Sequence, residues 1–125
     1  MVHFLRKAQL LVADLYLRFH QEQQHLFGFA DMDTLTGDSG AYAIAQLRAR
    51  GCIECSHALA SSIASGEEIP VGLRERALRS AAVVACKELA DELGLQAWQV
   101  SRWLQQRLED DTELVIHRTV ETMAY

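Results

Sequence analysis

From Pro70 to Gly94 the chain reads PVGLRERALRSAAVVACKELADELG, and this stretch decides the fold. Leu73, Ala77, Ala81, Val84 and Glu88 recur every three or four residues along one side, and Leu78, Ala82, Ala85, Leu89 and Leu93 follow the same rhythm on an adjacent side. That period belongs to an α-helix, because side chains three and four apart stack on one face. Pro70 can open such a helix but cannot sit inside it, and Gly94 is placed to close it in a left-handed turn. The expectation is a long helix, apolar over a wide arc and the most buried element. Glu75 with Arg79 and Lys87 with Asp91 would add modest ion pairing between successive turns on its outer side.

The same rhythm continues in both directions. Downstream, Ala97, Val100, Trp103, Leu104 and Leu108 predict another helix, followed by an acidic break at Glu109-Asp110-Asp111 that reads as a solvated turn. Leu114, Val115 and Ile116 in the tail fit a strand or a helix equally well. Upstream, Cys55, Leu59, Ser62 and Ile63 predict a helix ending at Gly66, and Ala41, Ile44, Ala45 and Arg48 one that stops at Gly51. Residues 28–40 are rich in Asp and Gly and suit turns, with Asp31 or Asp33 able to cap a short turn through Thr36. Phe4, Ala8, Leu11, Leu15 and Phe19, with Val12 beside them, give a first helix over about residues 3–25. The fold class expected is therefore all-α, a compact bundle of about five helices forming one domain over residues 1–125.

Composition agrees and narrows the function. The 125 residues are 50% hydrophobic but only 7% aromatic, so the core must be built from Leu, Ala, Val and Ile. A net charge of −5 argues against broad binding to a nucleic-acid backbone, which needs clustered Lys and Arg. A single nucleotide needs only one or two cations and remains open. No apolar run approaches the roughly 20 residues of a membrane span, and the N-terminus lacks a secretory pattern, so a cytoplasmic protein is expected. Cys52, Cys55 and His57 form a Cys-x-x-Cys-x-His cluster, but a structural zinc site wants four ligands and no second pair matches it. Reduced thiols fit better than a disulfide framework, and neither metal nor cofactor is implied.

Four segments together resemble one family. They are Phe4-Leu5-Arg6-Lys7-Ala8-Gln9-Leu10-Leu11-Val12-Ala13-Asp14-Leu15; Asp33-Thr34-Leu35-Thr36 before the helix that stops at Gly51; Gly66-Glu67-Glu68-Ile69-Pro70 with Leu78-Arg79, Ala82 and Cys86-Lys87-Glu88-Leu89; and His117-Arg118-Thr119 with Tyr125. In order and spacing these resemble the queuosine 5′-phosphate N-glycosylase, or queuine salvage, family. Family members are longer, and this chain resembles their C-terminal portion. The resemblance implies an all-helical fold like that of helical DNA glycosylases. It also implies hydrolysis of the N-glycosidic bond of queuosine 5′-phosphate, releasing queuine for reuse in tRNA modification.

Such chemistry needs a carboxylate beside the sugar carbon, cations for the 5′-phosphate, and aromatic or polar groups that grip the base. The resemblance puts Arg6 and Lys7 at the family's basic pair, with the order of the two reversed; as a solvated helix face they would do nothing specific. The family's carboxylate falls in a Phe-Ala-Asp tripeptide whose ungapped position here is Gly40. Asp38 stands two residues earlier and is the first candidate. Asp31, in Phe29-Ala30-Asp31, is the second, and both are equally readable as turn residues. A second family carboxylate falls at Ser101, which cannot supply a charge. Tyr42, Trp98 and Trp103 could stack on a base or simply fill the core. His117 and Arg118 match the family ending, Arg118 either reaching a phosphate or tying down the tail. The alternative to an enzyme is a non-catalytic relative that binds a nucleotide, completes a site with a separate subunit, or self-associates.

Overall fold

A computed structural model describes residues 4–107 and 114–119. The described elements are α1 (Arg6–Phe19), the single turn α2 (Gln24–Phe27), a 3-10 turn (Met32–Thr34), α3 (Ala41–Ala49), α4 (His57–Ala64), β1 (Glu68–Ile69), α5 (Leu73–Leu93), α6 (Ala97–Gln106) and β2 (Arg118–Thr119). Five helices of eight residues or more carry the architecture, as the periodicity predicts.

The boundaries follow the punctuation in the sequence. Gly51, Gly66 and Gly94 close α3, α4 and α5 with φ near +75°, +77° and +67°, a region where a Cβ is costly. At Gly51 the Cys52 amide reaches back to the Leu47 carbonyl at 2.8 Å, recovering one of the carbonyls a helix end leaves open. Ser56 caps α4 by accepting the Leu59 amide. Gln96 and Gln99 form a reciprocal capping box at the start of α6. The turn at Met32–Thr34 is held by the Thr34 hydroxyl donating to the Asp31 carbonyl, and the Asp31 carboxylate makes no cap.

The main core joins α3, α4, α5 and α6: Ile44, Leu47, Ile63, Leu78, Ala82, Cys86, Ala90, Val100 and Leu104 are all at most 4% exposed. A smaller cluster of Ala13, Met32 and Trp98, with Val12, Tyr16, Phe29 and Leu35, seats α1 against α6. Three expectations change. The most deeply buried helix is α3, in which Ala43–Leu47 is buried throughout. In α5 the buried residues form a single stripe, Glu75, Leu78, Arg79, Ala82, Ala85, Cys86 and Ala90, while Leu73, Val84 and Leu93 face outward at 80%, 54% and 64% exposure. A stripe suffices because α3 and α6 both pack on the same side of α5. The Glu75–Arg79 pair consequently lies inside the protein, and of the two pairs expected on α5 Lys87–Asp91, at 2.5 Å, is the one at the surface.

Helix α1 also turns a different face inward. Leu11 is 59% exposed, whereas Arg6, Gln9, Ala13 and Tyr16, spaced by three and four, meet the rest of the molecule. Polar bonds choose this face: Gln9 accepts the Thr36 amide at 2.6 Å, and Arg6 reaches Asp38. In the tail, residues 114–117 take no regular form, and Arg118–Thr119 pairs in parallel with Glu68–Ile69. The acidic stretch 109–111 and Tyr125 lie outside the described residues.

Candidate active site

The segment between the 3-10 turn and α3 carries the one buried aspartate among the described residues, Asp38, at 6% exposure. Gly37 makes its position possible. A Cβ at Gly37 would lie 2.2 Å from the Cys86 Cβ, so the segment rests directly on α5 and only glycine fits. The Asp38 amide then donates to Ser101 Oγ on α6 at 2.6 Å, and that hydroxyl donates onward to Cys86 Sγ at 3.8 Å. Burial, the leading influence, pushes the Cys86 thiol above its ordinary value, so it stays protonated beneath the site.

The Asp38 side chain is fixed from three sides. Arg6 Nε donates to Oδ1 at 2.5 Å, the Gly40 amide donates to the same oxygen at 2.9 Å, and Gln105 Nε2 approaches Oδ2 at 3.4 Å. The turn closed by the Gly40 amide also leads into the N-terminus of α3, where a negative charge is favoured. Arg6 lies close over Gly40: a Cβ there would meet its Nε at 2.6 Å.

Two hollows adjoin this carboxylate, and Arg6, Asp38 and Gln105 line both of them. The Arg6–Asp38 pair thus forms a wall between them. The inner hollow, of about 20 Å³, runs under Gln9, Leu35, Thr36 and Trp98 and has room for little more than a water. The outer one, of about 310 Å³, is bounded by Tyr42, Ala43, Gln46 and Leu104 and reaches the size of small-molecule sites. Of the two hollows beside Asp38, only the outer one has room for a small molecule. It offers a cation, a carboxylate, an aromatic ring that is 54% exposed, and amide groups over an apolar floor.

Of the residues singled out in the sequence, Arg6, Asp38 and Tyr42 converge on this cleft, and Trp98 lines the inner hollow. The others stand elsewhere. Asp31 is exposed at the 3-10 turn, and Lys7 is exposed on α1. Trp103 belongs to a separate apolar groove with Leu89, Leu93 and Leu95, where Arg50 and Arg107 lie over its ring at 5.4 and 4.5 Å. His117 is buried, and Arg118 is exposed on β2. Burial pushes the His117 imidazole below its ordinary value; Glu75 acts against this shift and Arg48 with it. Cys52, Cys55 and His57 are not gathered into a set of metal ligands; no such group occurs among the described residues.

Several contributors escaped the sequence reading. Ser101, noted only as a missing charge, anchors the Asp38 backbone. Arg79 bonds Ser39 Oγ at 3.3 Å and lies 4.1 Å from the centre of the Phe4 ring, bracing the residue next to Asp38. Gln46 is 1% exposed and donates to the Leu104 carbonyl at 2.6 Å. Its signal was available: a lone amide between Ile44 and Leu47, in the most apolar run of α3.

Comparison with known proteins shows the family. Residues 1–120 match the family model described as queuosine salvage protein. The chain is 35% identical over 128 aligned positions to a queuosine 5′-phosphate N-glycosylase/hydrolase of Sphaerobacter thermophilus. The match covers 94% of this chain and 38% of that relative, so the chain spans well under half of the relative's length.

Proposed function

This chain belongs to the queuosine salvage protein family, and from that premise we propose that it forms the carboxylate-bearing part of an N-glycosidase site for queuosine 5′-phosphate. The observation that carries the reading is the buried Asp38 carboxylate, oriented by Arg6 and the Gly40 amide at the edge of a ligand-sized cleft. In the reaction the bond between the base nitrogen and the sugar carbon breaks, water supplies oxygen to that carbon, and a proton passes to the departing base. Positive charge builds on the sugar at the transition state, and Asp38 is the group to stabilise it or to take the proton from water. Arg6 is the cation for the 5′-phosphate and is shared with Asp38, so phosphate binding would loosen its hold on the carboxylate. Tyr42 supplies a ring face for the base.

Lys7, Trp103, His117, Arg118 and Asp31 have no contact with this cleft and no assigned step. The exposed apolar side chains Leu73, Leu93 and Trp103 favour association with a further subunit or a second copy, which sedimentation would detect. No described helix is long and apolar enough to cross a membrane; we place the protein in the cytoplasm, as one domain supplying queuine for tRNA modification.

The test is incubation with queuosine 5′-phosphate and detection of free queuine. Asp38→Asn keeps shape and removes charge, and should lower turnover at least about a hundredfold. Release of queuine at the wild-type rate by this variant would remove Asp38 from the chemistry, and no release by the wild-type chain at high concentration would end the hydrolase reading for it.

A further inference from the structure

Gln46 is one of the residues lining the outer cleft, and its Oε1 is buried with no hydrogen-bond partner among the described residues. The orientation of the amide is fixed by its other end. Nε2 donates to the Leu104 carbonyl at 2.6 Å, and turning the group over would set oxygen against oxygen. Buried acceptors are normally satisfied, and one that is not marks a place where a donor is gained on binding. Tyr42 stands one turn before Gln46 on the same face of α3, and residues so spaced have neighbouring side chains, about 5–6 Å apart at Cβ. A flat group stacked on the Tyr42 ring would therefore lie beside Gln46.

We propose that Gln46 is a specificity-determining residue, accepting a hydrogen bond from an N–H on the edge of a planar heterocycle stacked on Tyr42. The ligand class is a nucleotide whose base carries an edge donor. A base offering only acceptors there would leave Oε1 unmet and add a repulsion, so selection works by penalty as well as by gain. The inference rests on the nucleotide reading given above and adds the chemistry of the base that the cleft prefers.

The experiment compares guanosine 5′-phosphate, whose base edge carries N–H donors, with purine riboside 5′-phosphate, which shares the sugar, phosphate and ring shape but has no such donor. Calorimetry on the wild-type chain should show a preference of about tenfold or more for the first. Gln46→Met should bring the ratio close to one by weakening the guanosine nucleotide alone. Should Gln46→Met fail to fold, Gln46→Asn withdraws the acceptor by one methylene and should have the same effect. A wild-type ratio near one, a preference that survives these substitutions, or binding of neither nucleotide overturns the proposal. Queuine release tests the glycosidase reading separately: release without discrimination keeps that reading and ends this one, and discrimination without release does the reverse.

Discussion

Replacing Gly37 by alanine tests how the site is held. Gly37 is not among the glycines with positive φ, so alanine carries no backbone strain there, and the whole effect is one of packing. The new methyl would lie 2.2 Å from the Cys86 Cβ and 2.7 Å from its sulfur, where nonbonded carbons rest at about 3.5–4 Å. Cys86 Cβ is fixed to the buried face of α5, so the segment must retreat by more than about an ångström. Overpacking of this kind costs about 1–3 kcal/mol, and losing the Asp38 amide bond to Ser101 adds about 1 kcal/mol. At about 3–5 °C per kcal/mol for a chain of this length, the midpoint of thermal unfolding should fall by roughly 6–20 °C. Second-site changes sharpen the test. Cys86→Ala keeps the offending Cβ and should restore little, whereas Cys86→Gly removes it and should recover most of the loss, less about 1 kcal/mol for a glycine within a helix. A Gly37→Ala protein that melts with the wild type, or rescue by Cys86→Ala equal to that by Cys86→Gly, would refute the direct contact.

Other outcomes are expected from the same contacts. Ser101→Ala should cost about 1–3 kcal/mol in a denaturant titration, because the Asp38 amide would be buried without its acceptor; an unchanged midpoint would contradict the bond. His117 is held below its ordinary value of 6.5 when folded, so the unfolded chain takes up its proton first as pH falls. Its contribution to stability is complete above about pH 6.5 and is lost as pH drops through the lower folded value, and His117→Gln should flatten that part of the stability profile. Toward a thiol reagent, Cys52 should react rapidly in the native protein and Cys86 only after unfolding, as mass spectrometry of the labelled chain would show.

Most of the helices were legible because a local device bounds them. Gly51, Gly66 and Gly94 end three of them, and Pro70 and Gly72 prepare the longest, with no help from tertiary structure. The facing of each helix was less legible, because it depends on partners distant in sequence. Leu11 is as apolar as any core residue and is exposed, yet α1 turns Arg6 and Gln9 inward since their partners, Asp38 and Thr36, lie on the segment beneath it. Arg79 reads as a surface charge until Phe4 and Ser39 are seen beside it. In the cleft, the basic residue and the acidic candidate could be picked out singly; that they touch across 32 positions could not. Gln46 shows the opposite case, a residue whose polarity within an apolar run was legible and was passed over.

The tight fit of Arg6 over Gly40 ties two positions of the site together. The space a side chain would need at position 40 is taken by the guanidinium that binds Asp38. A β-carbon at 40 would meet the guanidinium Nε at 2.6 Å, so any side chain there would push the end of Arg6 aside and loosen its grip on Asp38. The bare backbone at 40 and the seating of Arg6 on the neighbouring carboxylate are therefore parts of one arrangement.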